Sequence, residues 1–99
     1  SNINKKGVKT MEYQEMFKFL NLQIMQRKNA DKLPEDERNF LLVNFLDLNC
    51  NPCRFFVFNK DLMKKMLSTK YSGLQDLVVT FTVTYSNDNW HVNLVDVHE

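Results

Sequence analysis

The stretch LVVTFTVTYSNDNWHVNLVDV, residues 77–97, decides the fold. From Leu77 to Tyr85, apolar side chains alternate with Thr, Val and Ser, and a period of two is typical of a strand with one buried face. The tripeptide Asn-Asp-Asn at 87–89 tolerates left-handed backbone, which predicts a hairpin turn before the alternation resumes at Trp90. We therefore expect two antiparallel strands joined by a tight turn.

The alternation changes phase near the end of this stretch. Val95 and Val97 fall on the opposite parity from Trp90 and Val92. One extra residue in a strand produces this shift, so the sequence predicts a β-bulge or a twist there. Because a lone hairpin is marginally stable, the upstream chain must supply further strands and a cover for its apolar face.

Residues 11–28 contain neither Gly nor Pro. Apolar residues recur there at three- and four-residue spacings, which predicts a helix with one apolar face: Tyr13, Met16, Phe17, Leu20 and Ile24. A second apolar stripe lies on another side of this predicted helix and consists of Phe19, Leu22 and Met25. One sheet cannot cover both stripes. The chain segment that follows the helix could cover the second stripe. Our prediction is instead that this stripe binds a protein partner or a second copy.

Residues 40–48 fit two interpretations. A Pro followed by acids at 34–37 is typical of a helix start, which favours a Leu-rich helix. Alternatively, the turn dipeptide Asn51-Pro52 separates two apolar runs of strand length, which favours a strand paired with the aromatic run 54–58. We favour the strand.

Asn59 predicts the N-cap of a second, basic amphipathic helix over residues 59–69. The predicted fold class is therefore α+β, with an antiparallel sheet of three or four strands and both helices on one face, in the order helix-strand-strand-helix-strand-strand. The sheet would lose a strand if residues 40–48 were helical. The predicted core comprises Phe17, Leu20, Phe56, Val79, Phe81, Val83 and Trp90.

The length of 99 residues predicts one domain over residues 11–99, preceded by a flexible basic arm at 1–10 that carries Lys5, Lys6 and Lys9. No apolar run has the length of a membrane span, and two Cys do not make a disulfide framework. We expect a cytoplasmic protein that does not enter a membrane. The net charge of +1 argues against a strongly electrostatic nucleic-acid binder.

The one recognisable chemical motif is Cys50-Asn51-Pro52-Cys53. Dithiol chemistry requires such a motif to open a helix, whereas here it precedes an aromatic strand. A zinc site would also need His91 and His98, which point to opposite faces of a regular strand. We expect a turn with incidental thiols, no metal site and no cofactor.

Carboxylates are not paired at a spacing that supports acid-base work, and two Gly leave no phosphate-binding loop. We therefore predict no enzymatic activity. The favoured function is a small interaction or regulatory module that binds a protein or itself. The alternative is DNA binding, in a winged-helix-like way, by the hairpin and a basic set comprising Arg54, Lys60, Lys64, Lys65 and Lys70.

Overall fold

The computed structural model describes residues 2–3 and 9–99, and this part of the chain is a curled antiparallel β-sheet with one short helix. The strands are β1 Asn2–Ile3, β2 Lys9–Gln26, β3 Asn39–Leu46, β4 Pro52–Val57, β5 Asp76–Ser86 and β6 Asn89–His98. The helix α1 spans Lys60–Ser68, and two 3₁₀ turns occupy Ala30–Lys32 and Glu35–Glu37. The sheet order is β4-β3-β2-β5-β6, and β1 adds a short pairing to β2.

The predicted basic arm falls mostly outside the described residues. Of residues 1–10, the structure describes Asn2–Ile3, which form β1, and Lys9 and Thr10, which begin β2. Lys5 and Lys6 lie outside the described part of the chain.

The 18-residue strand β2 lies between two hairpins, β3–β4 on one side and β5–β6 on the other. Its first half pairs with β5, from Lys9 opposite Tyr85 to Lys18 opposite Asp76. Its second half pairs with β3 on the other side, from Lys18 opposite Leu46 to Gln26 opposite Asn39. The two pairings overlap only at Lys18, so the first half of β2 has β5 as its long neighbour and the second half has β3.

The helix predicted over residues 11–28 is wrong, because this segment is almost entirely β2. The register of β2 against β3 shifts between Phe19 and Asn21, so Leu20 is an extra residue in the strand. Phe17 and Phe19 precede this bulge and Leu22 follows it, which converts a period of two into one three-residue step. A strand with a bulge therefore imitates helical spacing.

The predicted helix-rich α+β class, with helices on one face of a three- or four-stranded sheet, is also wrong. Among the described residues, five strands form the continuous sheet, and α1 is the only α-helix. The favoured interpretation of residues 40–48 as a strand is confirmed by β3, which pairs with the aromatic strand β4. The helix after Asn59 is also confirmed, and the Asn59 side chain accepts a hydrogen bond from the backbone N–H of Leu62 at 2.9 Å.

The hairpin predicted over residues 77–97 is confirmed together with its bulge. Strands β5 and β6 meet at a two-residue turn, in which Asn87 and Asp88 have φ angles of 51° and 62°. Thr80 lies opposite Asp96 and Phe81 opposite Leu94, so Val95 is the extra residue of a β-bulge. The change of parity in the sequence therefore located this irregularity.

The core lies between the two hairpins, because the sheet curls at β2 until the edge strands β4 and β6 come within 8 Å between Cα atoms. Phe17 contributes to an aromatic cluster whose ring centroids lie 5.6–6.1 Å apart: Phe17, Phe45, Phe55 and Phe81. Helix α1 adds the buried Leu62 and Met66 to this cluster. The result is a small core closed on one side by α1.

Two predicted core residues are exposed. Phe56 is 48% exposed because it occupies the outward parity of β4, between the buried Phe55 and Val57. Trp90 is 63% exposed although it shares the inward face of the sheet, because it lies beyond the end of the second layer. Phe17 and Val79 are buried as predicted, whereas the other three residues of that set are half-buried: Leu20, Phe81 and Val83.

Candidate interaction surface

The sheet extends past the core as a three-stranded projection that we call the wing. The wing consists of residues 9–15 of β2, 81–86 of β5 and 89–92 of β6. Strand β5 has 11 residues, so at about 3.3 Å per residue it is longer than the helix and the hairpin that cover its first part. One face of the wing therefore has no layer over it among the described residues.

This face is apolar and aromatic. Residues directly opposite each other in an antiparallel pair share a face, and the register places seven apolar side chains together. They are Met11, Tyr13, Phe81, Val83, Tyr85, Trp90 and Val92. The rings of Tyr13 and Phe81 stack at 5.5 Å between centroids, and those of Tyr85 and Trp90 lie 4.8 Å apart.

Much of this apolar area is in contact with water. The exposed fraction is 63% for Trp90, 49% for Val92, 38% for Tyr13 and 36% for Tyr85. Because a large aromatic side chain offers about 150–250 Å², the wing exposes roughly several hundred Å² of contiguous apolar surface. That area is comparable with the largest patches on soluble monomers, which are often functional.

The opposite face of the wing is polar. The Oγ1 atoms of Thr10 and Thr84 lie 3.1 Å apart, and Gln14 Nε2 donates to Thr80 Oγ1 at 3.4 Å. Cross-strand pairs of this kind stabilise a water-facing sheet surface. The wing is therefore amphipathic, and its aromatic face is the unusual one.

The hairpin turn helps to position the aromatic end of the wing. Asn87 and Asp88 tolerate positive φ, so they match the twist of the flanking strands. The Tyr85 hydroxyl donates to Asp88 Oδ1 at 3.4 Å, which joins the side chain to the turn. Asn89 Nδ2 also donates to the carbonyl oxygen of Asn87 at 3.2 Å.

A second apolar patch lies on the outward face of β3 and β4. Phe40 contacts the rings of Phe56 and Phe58 at 6.0 and 4.9 Å between centroids. The Arg27 guanidinium carbon lies 4.9 Å from the centre of the Phe58 ring, which is a cation–π geometry. Arg27 therefore covers part of this patch, whereas the described residues place no such cover over Trp90.

The predicted partner-binding stripe does not form one surface. Phe19 is buried and Leu22 packs against the core, whereas Met25 lies opposite Phe40 on the outward face. Phe19 and Leu22 also line an open groove of about 350 Å³ beside α1. Since the predicted helix is absent, the three residues no longer share a face, and their role in binding stays a prediction.

The predicted DNA-binding set is partly occupied by salt bridges. Lys60 Nζ lies 2.8 Å from Asp36 Oδ2, and Lys65 Nζ lies 2.6 Å from Asp96 Oδ1. Arg54 Nε donates to an asparagine side chain at 3.3 Å, and the other two members are exposed: Lys64 and Lys70. These contacts reduce the charge available to a phosphate backbone, and DNA binding stays a prediction.

The cysteine motif spans the end of the turn between β3 and β4, at Cys50 and Asn51, and the start of β4, at Pro52 and Cys53. The Asp47 carboxylate accepts backbone hydrogen bonds from Asn49 and Asn51, both at 2.8 Å, and these bonds hold the pKa of Asp47 below its usual value. Burial, and then the negative charges of Asp47 and Glu15, raise the pKa of the Cys53 thiol. A raised pKa disfavours the thiolate that redox chemistry needs.

The two histidines lie at separate points of β6. His91 is opposite Thr84 in the wing, whereas His98 is opposite Val78 near the core. Seven residues of strand separate them by roughly 20 Å, which is too far for both to bind one ion. Among residues 9–99, no group of three or more potential metal-ligating side chains is close enough to hold an ion.

The comparisons with known proteins found no matching family model, no similar curated protein and no similar solved structure. Among the helices that the structure describes, none is long and apolar enough to cross a membrane.

The sequence indicated the wing residues but assigned them the wrong surroundings. Tyr85, Trp90 and Val92 have the alternation of a buried strand face, and Trp90 was predicted to be core. Strand length was the available signal, since 10- and 11-residue strands exceed the usual five or six. Without the position of the second layer, however, length alone does not show which end of the hairpin is covered.

Proposed function

We propose that this protein is a non-enzymatic interaction module that binds a protein partner through the aromatic face of the wing. The observation that supports this proposal is the exposure of Trp90 at 63% beside Tyr85 on the β5–β6 hairpin. Trp and Tyr carry much of the binding free energy at protein interfaces because they bury a large area at a small cost in side-chain entropy.

The position of the face on paired strands supports the same function. Tyr13 stacks on Phe81, which also contacts Phe55 of the core at 5.6 Å between centroids. The wing is thus continuous with the packed interior, and little backbone ordering is needed when a partner binds. Pre-organisation of this kind lowers the entropic cost of association.

The compartment proposed for this function is the cytoplasm. Cys50 is exposed and Cys53 half-buried, and both are free thiols in the structure. Unpaired cysteines are typical of a reducing environment. Binding between two copies belongs to the same proposal and is distinguished by the experiment below.

The test compares two variants that each remove an exposed aromatic side chain. Trp90→Ser changes the wing, and Phe56→Ser changes the outward patch on β4, where the ring is 48% exposed. Partners are captured from cell extract with each protein, identified by mass spectrometry, purified and titrated by calorimetry. We expect Trp90→Ser to weaken binding at least tenfold and Phe56→Ser to change the Kd by less than about twofold, because hot-spot aromatics dominate affinity.

A partner whose affinity depends on Phe56 and not on Trp90 would contradict the assignment of the wing. Sedimentation of the wild type over a wide concentration range shows whether the partner is a second copy. Titration with duplex DNA at two salt concentrations tests the alternative function, since binding to phosphates weakens steeply with salt.

A further inference from the structure

We propose that the open edge of β2 beside the wing binds an extended basic peptide as an additional antiparallel strand. This inference rests on the proposed function, because it names the kind of partner and its manner of binding. The backbone of β2 would pair with the peptide, and the acidic side chains beside it would favour a basic sequence.

The direction of the β2 backbone follows from two hydrogen bonds at Phe19. Its N–H donates to the Gln75 carbonyl oxygen at 2.8 Å, and its own carbonyl oxygen accepts from the N–H of Leu74 at 2.6 Å. The backbone groups of Phe19 therefore point towards the side of β5. In a strand these groups alternate between the two sides, so those of Glu12, Gln14 and Met16 point away from β5.

On that other side, the described residues leave a gap in the sheet. Strand β1 pairs with Lys9 and Thr10, and β3 begins its pairing with β2 at Lys18. Between them, no described strand pairs with residues 11–17, which span about 23 Å at 3.3 Å per residue. Three N–H and three C=O groups along this edge therefore have no strand partner among the described residues, and such a row is a template for another strand.

The pairing of β1 gives the direction of the added strand. Asn2 lies opposite Thr10 and Ile3 opposite Lys9, so β1 runs antiparallel to β2 along the same edge. A peptide that continues this arrangement would run antiparallel to β2 and parallel to β1. Strand addition to an exposed edge is a common mode of peptide recognition.

The side chains along the gap favour a basic peptide. Glu12 and Glu15 are exposed and make no salt bridge with the residues that the structure describes. Asp47 and Glu15 also border one shallow cleft of about 420 Å³, together with Met16. Lys18 lies at the end of the gap, but its Nζ is 2.8 Å from Asp76 Oδ1 in a salt bridge.

The same charges disfavour a second copy at this edge. Two β2 edges related by a two-fold axis at Gln14 would place Glu12 opposite Met16 and Glu15 opposite Tyr13 of the other copy. No carboxylate would lie directly opposite another, but Glu15 would be diagonal to Glu15 of the other copy on the same face, and neither Glu12 nor Glu15 would gain an opposite charge. A peptide with Lys or Arg supplies that opposite charge.

The two faces of the edge also define the pattern of the peptide. Tyr13 and Glu15 lie on the aromatic face of the wing, whereas Glu12 and Gln14 lie on the polar face. Successive side chains of the bound strand would alternate between these faces. The structure therefore fits a peptide in which apolar residues beside Tyr13 alternate with basic residues beside Glu12.

The first test uses synthetic peptides with the purified protein. The probe is a blocked octapeptide of alternating Val and Lys, and the two controls are the Val-Glu analogue and the Val-Lys peptide with alternate backbone nitrogens methylated. We expect the probe to bind with micromolar Kd and each control at least tenfold more weakly, because one loses the charge match and the other its donors. Equal binding of the methylated peptide, or no binding of the probe at millimolar concentration, would overturn the inference.

The second test changes the protein. Gln14→Pro removes an N–H that faces the gap but keeps every N–H that pairs β2 with β5. Pro is tolerated at a strand position whose N–H faces away from the neighbouring strand. Glu12→Lys reverses a charge at the gap, and its matched control, Glu35→Lys, reverses an exposed charge on a 3₁₀ turn. We expect the first two variants to weaken probe binding at least tenfold and the control to leave the Kd within about twofold.

Amide exchange separates this inference from the proposed function, even if Gln14→Pro fails to fold. Bound probe should slow the exchange of the Glu12, Gln14 and Met16 amides in the wild type. Binding that requires Trp90 but leaves these three amides unchanged would overturn strand addition and preserve the wing as a docking face. Conversely, if the probe binds but no protein partner depends on Trp90, the proposed function would be contradicted and strand addition would stand.

Discussion

The two halves of β2 differ in what covers them, although they belong to one continuous strand. In the second half, Leu22 lies opposite the buried Val43, and Phe19 packs edge-on against Phe45. In the first half, Tyr13 and Met11 lie on the same side of the sheet but beyond the end of the core, where Tyr13 is 38% exposed and Met11 is half-buried. The difference teaches that the periodicity of a strand indicates its apolar face, whereas only a second layer makes that face an interior.

The largest expected effect contrasts one buried ring with one exposed ring. Phe45→Ala should lower the free energy of unfolding by about 3–5 kcal/mol, since Phe45 is fully buried among three other Phe rings. Trp90→Ala, the control in the wing, should change it by less than about 1 kcal/mol, because most of that side chain is already exposed. Urea unfolding measures both values, and similar losses would show that the wing is part of the core.

The next effect separates the two edges of β2 within the wing. The amides of Met11, Tyr13 and Glu15 point towards β5, so hydrogen exchange in the free protein should be slow for them. Those of Glu12, Gln14 and Met16 should exchange on the order of a hundredfold faster, because their groups face the gap. Exchange measured by NMR would contradict this geometry if neighbouring residues showed no alternation.

A smaller effect concerns the helix that closes the core and has no counterpart over the wing. Asn59 caps α1 through its bond to the Leu62 N–H at 2.9 Å, so Asn59→Ala should cost about 0.5–2 kcal/mol of unfolding free energy. Asn59→Asp keeps an oxygen acceptor at the cap and should restore most of the loss. Thermal unfolding of the two variants checks the comparison, and equal losses would exclude capping as the cause.

The smallest effect is a pH dependence at the contact between α1 and β6. The hydrogen bond from Lys65 is the main cause that lowers the pKa of Asp96 below its usual value, against a smaller opposing effect of burial. A lowered pKa in the folded protein contributes stability above the unfolded pKa of about 3.9, and this contribution is lost as the pH falls through the folded value. Both side chains are more than 40% exposed, so the effect should stay within about 1 kcal/mol.

Asp96→Asn provides the matched control for that titration. Its unfolding free energy should fall less steeply than that of the wild type between about pH 5 and pH 2, the region in which an ordinary carboxyl and one of lowered pKa titrate. Equal slopes for the two proteins would show that other carboxyls determine the acid stability.

Local sequence determined the features that depend on neighbours along the chain. The hairpin at 87–89, the bulge at Val95 and the cap at Asn59 each follow from backbone preferences of a few residues. The strand β3 was favoured for the same reason, because a turn dipeptide separates two short apolar runs. Such preferences act before any tertiary contact forms, so they can be deduced from the residues alone.

Tertiary structure decided the state of residues 11–28 and the exposure of the wing. This segment has residues that suit a helix, but as a strand it hydrogen-bonds to β3 and β5 at once, and the bulge at Leu20 keeps Phe19 and Leu22 on the core side. Long-range pairing and burial of this kind outweigh the few tenths of a kcal/mol per residue of local preference. Trp90 is exposed for a related reason: its face was determined by its parity in the sequence, but its distance from α1 and β4 was determined by the curl of the sheet.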